Sequence, residues 1–215
     1  MFFFEEKNQK TFSHKKPTLT RRALLAAPLL AAGCSLFEQP YVERRQWPLL
    51  VERPGVLPNR RGGKVLEIRT LRSGPGLDSR GLQTLQADGS VKIAFYEEWA
   101  VPPAEALEDS LRRWLTASGL FAAVVGPGSR VTADYALEGE LGALWSDPSR
   151  GIAHAALSIV LLGEQPDVAK VALQRRFEET AAMPADDPAA QVRAQVAALT
   201  VVLARAEAAL REVVG

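Results

Sequence analysis

Residues 95–125, FYEEWAVPPAEALEDSLRRWLTASGLFAAVV, change periodicity twice, and those changes set the fold class. The stretch opens as the end of a strand. Pro102 and Pro103 then suit the first turn of a helix, where a missing N–H costs nothing, and Glu105, Glu108 and Asp109 favour its positive end. Leu107, Leu111, Trp114 and Leu115 form one apolar stripe that stops at Gly119. Alternation resumes in LFAAVVG. Tyr96 and Trp99 sit at the junction of strand and helix, where bulky rings more often close a core than form a platform for a ligand.

Working outward, KVLEIRTLR places Leu66, Ile68 and Thr70 on one face of a strand and Glu67 and Arg69 on the other. GLQTLQADGSVKIAFY reads as a hairpin turning at Ala87-Asp88-Gly89-Ser90, because Asp-Gly supplies the positive φ of a tight turn. Downstream, ADYALEGELGALWS predicts a strand with Tyr135, Leu137, Leu141 and Trp145 on one face and Glu138 and Glu140 on the other. IAHAALSIVLLG and VAKVALQRRFEE follow as two more strands, joined by a turn at Glu164-Gln165-Pro166-Asp167. Asp187-Pro188 opens a last helix whose stripe is Val192, Val196, Leu199, Leu203, Ala206 and Leu210, suited to lying across a sheet in preference to a coiled-coil partner. The expected fold is α+β: a mixed, mostly antiparallel sheet with two helices packed on it, in the order strands, helix, strands, helix.

The N-terminus has a different logic. Lys15, Lys16, Arg21 and Arg22 make a positive region, Ala23 to Leu30 a short apolar one, and Ala31-Ala32-Gly33 a small-residue cleavage site, which together read as a secretion signal, residues 1–33. Its apolar part is shorter than the roughly 20 residues a membrane span needs. Cys34, the one cysteine of the 215 residues, directly follows Leu30, Ala31, Ala32 and Gly33, which makes LAAGC a lipobox and Cys34 the expected site of lipidation. Acyl chains at roughly 0.8 kcal/mol per buried methylene would hold the chain to a bilayer. TRRALL is compatible with either twin-arginine or Sec export. Ser35, in place of an aspartate that would favour inner-membrane retention, points to the outer membrane, periplasmic face, with inner-membrane anchoring as the alternative.

Residues 34–63 are rich in Pro, Gly and Arg and show no sustained period, so they read as a tether reaching up to about 80 Å, with one short strand at Pro48 to Glu52. The folded domain is then expected over residues 64–215. Residues 1–33 carry six Lys or Arg and two Glu, leaving 20 basic against 23 acidic residues beyond them. That balance argues against a nucleic-acid partner, which needs a basic face.

The search for chemistry finds little that points to catalysis. Beyond the signal the remaining histidine is His154, within a strand, which reads as structural, and no metal set can be assembled around it. GPGLDSRG has the wrong glycine spacing for a dinucleotide site and reads as a loop. Glu97 and Glu98 are adjacent on a strand end, point to opposite sides and are expected to be solvated. The chain is expected to be no enzyme and to take no cofactor.

With VLEIRTLRSGPGLDSRGLQTL before it and ADYALEGELGAL after it, the opening stretch resembles the ABC-type transport auxiliary lipoprotein family, the PqiC-like lipoproteins. The resemblance rests on Tyr96, Trp99, Pro102 and Pro103, on the helix-ending turn Ser118, Gly119 and Phe121, and on Ala133, Asp134, Tyr135, Leu137, Gly139 and Leu141. In place of the tyrosine-rich strand many members have after the cysteine, this chain has PYVERRQWPLLVERP. The resemblance implies a lipid-anchored periplasmic accessory that docks onto an MCE-type system, with an MCE-domain protein, an ABC permease and an ATPase as partners. Such systems move lipids or other hydrophobic molecules between the inner and outer membranes. Tyr96, Trp99, Pro102, Pro103, Phe121 and Tyr135 would be partner-binding or core positions. The alternative is an envelope structural lipoprotein that binds a peptidoglycan synthase or outer-membrane assembly machinery.

Overall fold

The computed structural model describes residues 41–59, 62–163 and 170–215. The signal, Leu30 to Cys34 and the turn expected at Glu164 to Asp167 lie outside the described residues. Within the compact unit Val42–Gly215 the strands are β1 Arg45–Trp47, β2 Val65–Ile68, β3 Arg72–Ser73, β4 Gly81–Leu85, β5 Val91–Trp99, β6 Ala123–Val125, β7 Tyr135–Asp147, β8 Ile152–Gly163 and β9 Lys170–Ala182. Helix α1, Pro103–Ala117, separates β5 from β6, and α2, Pro188–Val214, closes the chain. The class is the α+β arrangement that the periodicity implies.

β7 is the spine of the sheet. Along one edge it pairs antiparallel with β8, which continues antiparallel into β9. Along the other edge β2, β3 and β4 follow one another, each parallel to it. β4 carries β5 through the expected Asp88-Gly89 turn, where Gly89 has φ +85° and Gln86 N–H donates to the Ser90 carbonyl at 2.8 Å. The long pairings β7–β8, β8–β9 and β4–β5 are antiparallel; the parallel ones are short. Leu137, Leu141, Leu157 and Leu161 meet Leu199, Leu203 and Leu210 of α2 in one buried cluster.

One face assignment is overturned. Leu141 pairs with Leu157 but Ala143 pairs with Ala156, so Gly142 is an extra residue in β7 and inverts the alternation beyond it. Leu144, not Trp145, continues the face of Leu137 and Leu141. Trp145 stands on the other side, stacked on His154 with ring centroids 4.6 Å apart. The same inversion turns Ser146 toward α2, where its hydroxyl accepts from the Gln195 side chain at 3.0 Å. On α2 the predicted stripe is buried except Val196, which is half-buried. The Asp187 carboxylate accepts from Ala190 N–H at 2.8 Å and caps the helix.

The packed body also begins earlier than residue 64. The short strand is β1, Arg45–Trp47, rather than Pro48 to Glu52, because Pro48 has no N–H to continue a ladder. Leu49 and Val51 then enter the core. Val51 N–H donates to the Ser110 hydroxyl, and Leu57 N–H donates to the Ala117 carbonyl at 2.8 Å, completing the end of α1. This strap, residues 45–58, is aperiodic because Leu49 and Val51 fill separate slots while Leu50, Val56 and Leu57 between and beyond them stay exposed.

Gly119 ties the strap to the helix turn. Its φ is +63°, and a Cβ there would lie 2.6 Å from the Pro58 carbonyl oxygen. Gly119→Ala is expected to cost about 2 kcal/mol or more, measured as a shift of the urea midpoint with unchanged slope.

Candidate docking surface

β1 and β5 build the site. Their parallel register sets Arg45, Gln46 and Trp47 beside Glu97, Glu98 and Trp99. Trp47 Nε1–H donates to Glu97 Oε2 at 2.8 Å, and Arg45 pairs with the same carboxylate at 3.2 Å. Glu98 is buried and accepts from Gln46 and Arg80, each at 3.1 Å. The two glutamates do point to opposite partners, but they are not solvated. They are engaged because the strap, invisible to periodicity, supplies Arg45, Gln46 and Trp47 as donors, and Arg80, just ahead of β4, adds one more to Glu98.

Between these anchor points β5 leaves β4. Gln83 pairs with Ile93 and Gly81 with Glu98, so five steps on β5 face two on β4. The surplus pushes Phe95 and Tyr96 outward, where they are 68% and 44% exposed. Their rings meet edge to face at 5.0 Å, and the Arg44 guanidinium lies 4.7 Å from the Phe95 centroid. Val91 and Ile93 extend the apolar ledge. Beside it is a shallow hollow of about 230 Å³, lined in part by Arg44, Arg80, Ile93 and Glu98. Gly81 permits the close crossing: a Cβ there would sit 2.2 Å from the Ala94 carbonyl oxygen.

The other motif residues turn inward. Trp99, Pro103 and Phe121 are buried, while Pro102 and Tyr135 are half-buried. Pro102 is the N-cap of α1 and Pro103 its first residue. The Ser118 hydroxyl donates to the Leu115 carbonyl at 2.6 Å, and Asp134 accepts from Val65 N–H at 2.8 Å while its own N–H donates to the Val65 carbonyl. That backbone donor, then Lys64, holds the Asp134 carboxyl below its ordinary pKa. Most of the motif therefore locks the helix ends and the start of β7 in place, and Tyr96 is the member turned most openly to solvent.

Two further groups lie elsewhere. Glu207 of α2 accepts from Arg53 of the strap at 2.9 Å, from Trp114 Nε1–H of α1 at 2.8 Å and from Arg211 at 2.8 Å. Burial pushes its pKa up, but these donors outweigh burial and hold it below the ordinary carboxylate value. His154 is driven the other way for an imidazole: burial against Trp145 lowers its pKa and favours the neutral ring. Among the described residues no His, Cys, Asp and Glu side chains gather in a set that could hold a metal.

A family model described as ABC-type transport auxiliary lipoprotein component matches residues 49–206. The chain belongs to this family. It is thus an auxiliary lipoprotein of an ABC-type transport system and a protein of the cell envelope. The match begins at Leu49, inside the strap, so the family's unit includes the segment that reads as tether in the sequence. Among solved structures, a Xanthomonas campestris protein of the family DUF330 superposes with a TM-score of 0.62 at 23% identity, covering 78% of this chain and 93% of its own. A second, uncharacterized protein gives 0.60 at 14% identity, covering 79% and 99%. A Chlamydia trachomatis hypothetical protein gives 0.50 at 6% identity, covering 71% and 98%. These likenesses show a shared fold. A comparison with curated proteins finds no match.

Proposed function

We propose that this auxiliary lipoprotein is lipidated at Cys34, faces the periplasm from the outer membrane, and serves an MCE-type system that moves lipids or other hydrophobic molecules between the two membranes. The family match over residues 49–206 carries the reading. Docking, not catalysis, is its proposed mode of action: the carboxylates nearest the ledge, Glu97 and Glu98, are committed to Arg45, Trp47, Gln46 and Arg80. The proposed contact is the ledge of Phe95 and Tyr96, and its proposed occupant is the MCE-domain subunit. Tyr96 supports this, being a motif side chain that the core leaves exposed. With β1 beginning at Arg45, ten residues separate it from Cys34, a connector of at most about 35 Å. The body then works close to its own membrane, and a partner must come to it.

The test is affinity purification of the native protein from solubilised membranes, with co-purifying subunits identified. An MCE-domain protein, a permease and an ATPase are expected. Phe95→Ser with Tyr96→Ser is expected to reduce their recovery at least tenfold while the melting temperature stays within about 3 °C, since both rings are exposed. Recovery of a peptidoglycan synthase in their place would support the structural-lipoprotein alternative.

A further inference from the structure

The ledge is also a free length of strand edge. β1 pairs with β5 over residues 97–99 alone, and among the described strands none continues along that edge past residues 91–96. In line with β1, β5 therefore offers backbone N–H and C=O groups to any extended chain laid beside it. Ile93 and Phe95, two positions apart, line the hollow of about 230 Å³ next to the ledge. An added strand would set every second side chain above them.

The charges around the hollow are unequal. Arg44 and Arg80 both line it, against the single carboxylate of Glu98. Arg80 is engaged, donating to Glu98 at 3.1 Å and to the Ala100 carbonyl at 3.2 Å. Arg44 is exposed, rests on the Phe95 ring and forms no ion pair with any described residue. A guanidinium on an aromatic ring keeps the in-plane N–H donors that match the two oxygens of a carboxylate. The ledge thus carries one uncompensated positive charge beside its apolar residues.

We propose that the docking element is an extended acidic segment of the MCE-domain subunit, added as a strand to the free edge of β5, with one Asp or Glu side chain set against Arg44. An apolar residue two positions from that acid lies over Ile93, on the same side of the added strand. The backbone pairing supplies adhesion without regard to sequence, while the carboxylate and its apolar neighbour fix which segment is taken and in which register. Because Arg44 is open to water, the charged contact weakens as salt rises. The inference rests on the docking reading given above, and it adds the chemistry of what docks.

The test uses the full protein purified from solubilised membranes, with the co-purifying MCE-domain subunit quantified. Arg44→Glu, which places a carboxylate of the protein's own beside the hollow, is expected to lower that recovery at least about tenfold, and Arg44→Lys to keep it within about threefold. Both variants should melt within about 3 °C of the unaltered protein, since Arg44 is exposed. A benzophenone amino acid in place of Ile93, cross-linked by light, is expected to capture a segment in which an Asp or Glu stands two positions from an apolar residue. Changing that acid to Arg should return recovery by the Arg44→Glu variant to within about threefold of the original pair. Recovery that Phe95→Ser with Tyr96→Ser removes but Arg44→Glu leaves unchanged would overturn this inference alone and leave the docking reading in place. A captured segment without an acid, or an acid whose reversal restores nothing, has the same force. Failure of the unaltered protein to recover an MCE-domain subunit would remove both.

Discussion

Glu207→Ala is expected to destabilise the protein by about 3–5 kcal/mol, lowering its melting temperature by roughly 10 °C. One carboxylate at the centre of three elements receives Arg53 from the strap, Trp114 from α1 and Arg211 from its own helix. Removing it leaves the Arg53 guanidinium and the Trp114 N–H without their acceptor in a largely buried place. The sign with pH follows from its lowered pKa: the ion pairs stabilise the fold above the ordinary carboxylate pKa of about 4.3 and lose that contribution as pH falls through the lower folded value. Glu207→Gln, which keeps shape but not charge, is expected to be less stable at pH 7 and to show a flatter decline below pH ~4, read by urea denaturation across pH. An unchanged acid limb would remove Glu207 from the account.

Trp99→Ala is expected to cost about 3–5 kcal/mol, whereas Tyr96→Ala, three residues away in the same motif, should cost less than about 1 kcal/mol. Trp99 is 1% exposed, so truncating it empties a large buried volume; Tyr96 is 44% exposed on the ledge. Denaturation of both variants separates a core position from a docking position inside one sequence block. Equal losses would mean that Tyr96 is structural and that the ledge is the wrong surface.

The sequence was most legible where one period persisted. Leu107, Leu111, Trp114 and Leu115 in α1 and the Asp88-Gly89 turn were readable because each rests on local geometry. The bulge at Gly142 was hidden, since one extra residue leaves composition unchanged while reversing every face beyond it, and Trp145 moved from the expected core to the side of His154. The strap was hidden for another reason. Leu49, Val51 and Arg53 are each placed by a different distant partner, and long-range pairing leaves no local repeat to detect. The ledge misleads in the opposite sense: Val91, Ile93 and Phe95 alternate with their neighbours as a buried set would, yet all three are exposed. A period reports that residues share a side, not that anything covers it.

The strap also decides how the body bears load. Tension arriving through the chain ahead of Arg45 meets the three-residue ladder with β5, then the sockets holding Leu49 and Val51, then the Arg53–Glu207 clamp. These resistances stand in series, so a pull must peel the first before it strains the next. The clamp ends on α2, the helix that covers the sheet, and the mooring point is thereby continuous with the hull.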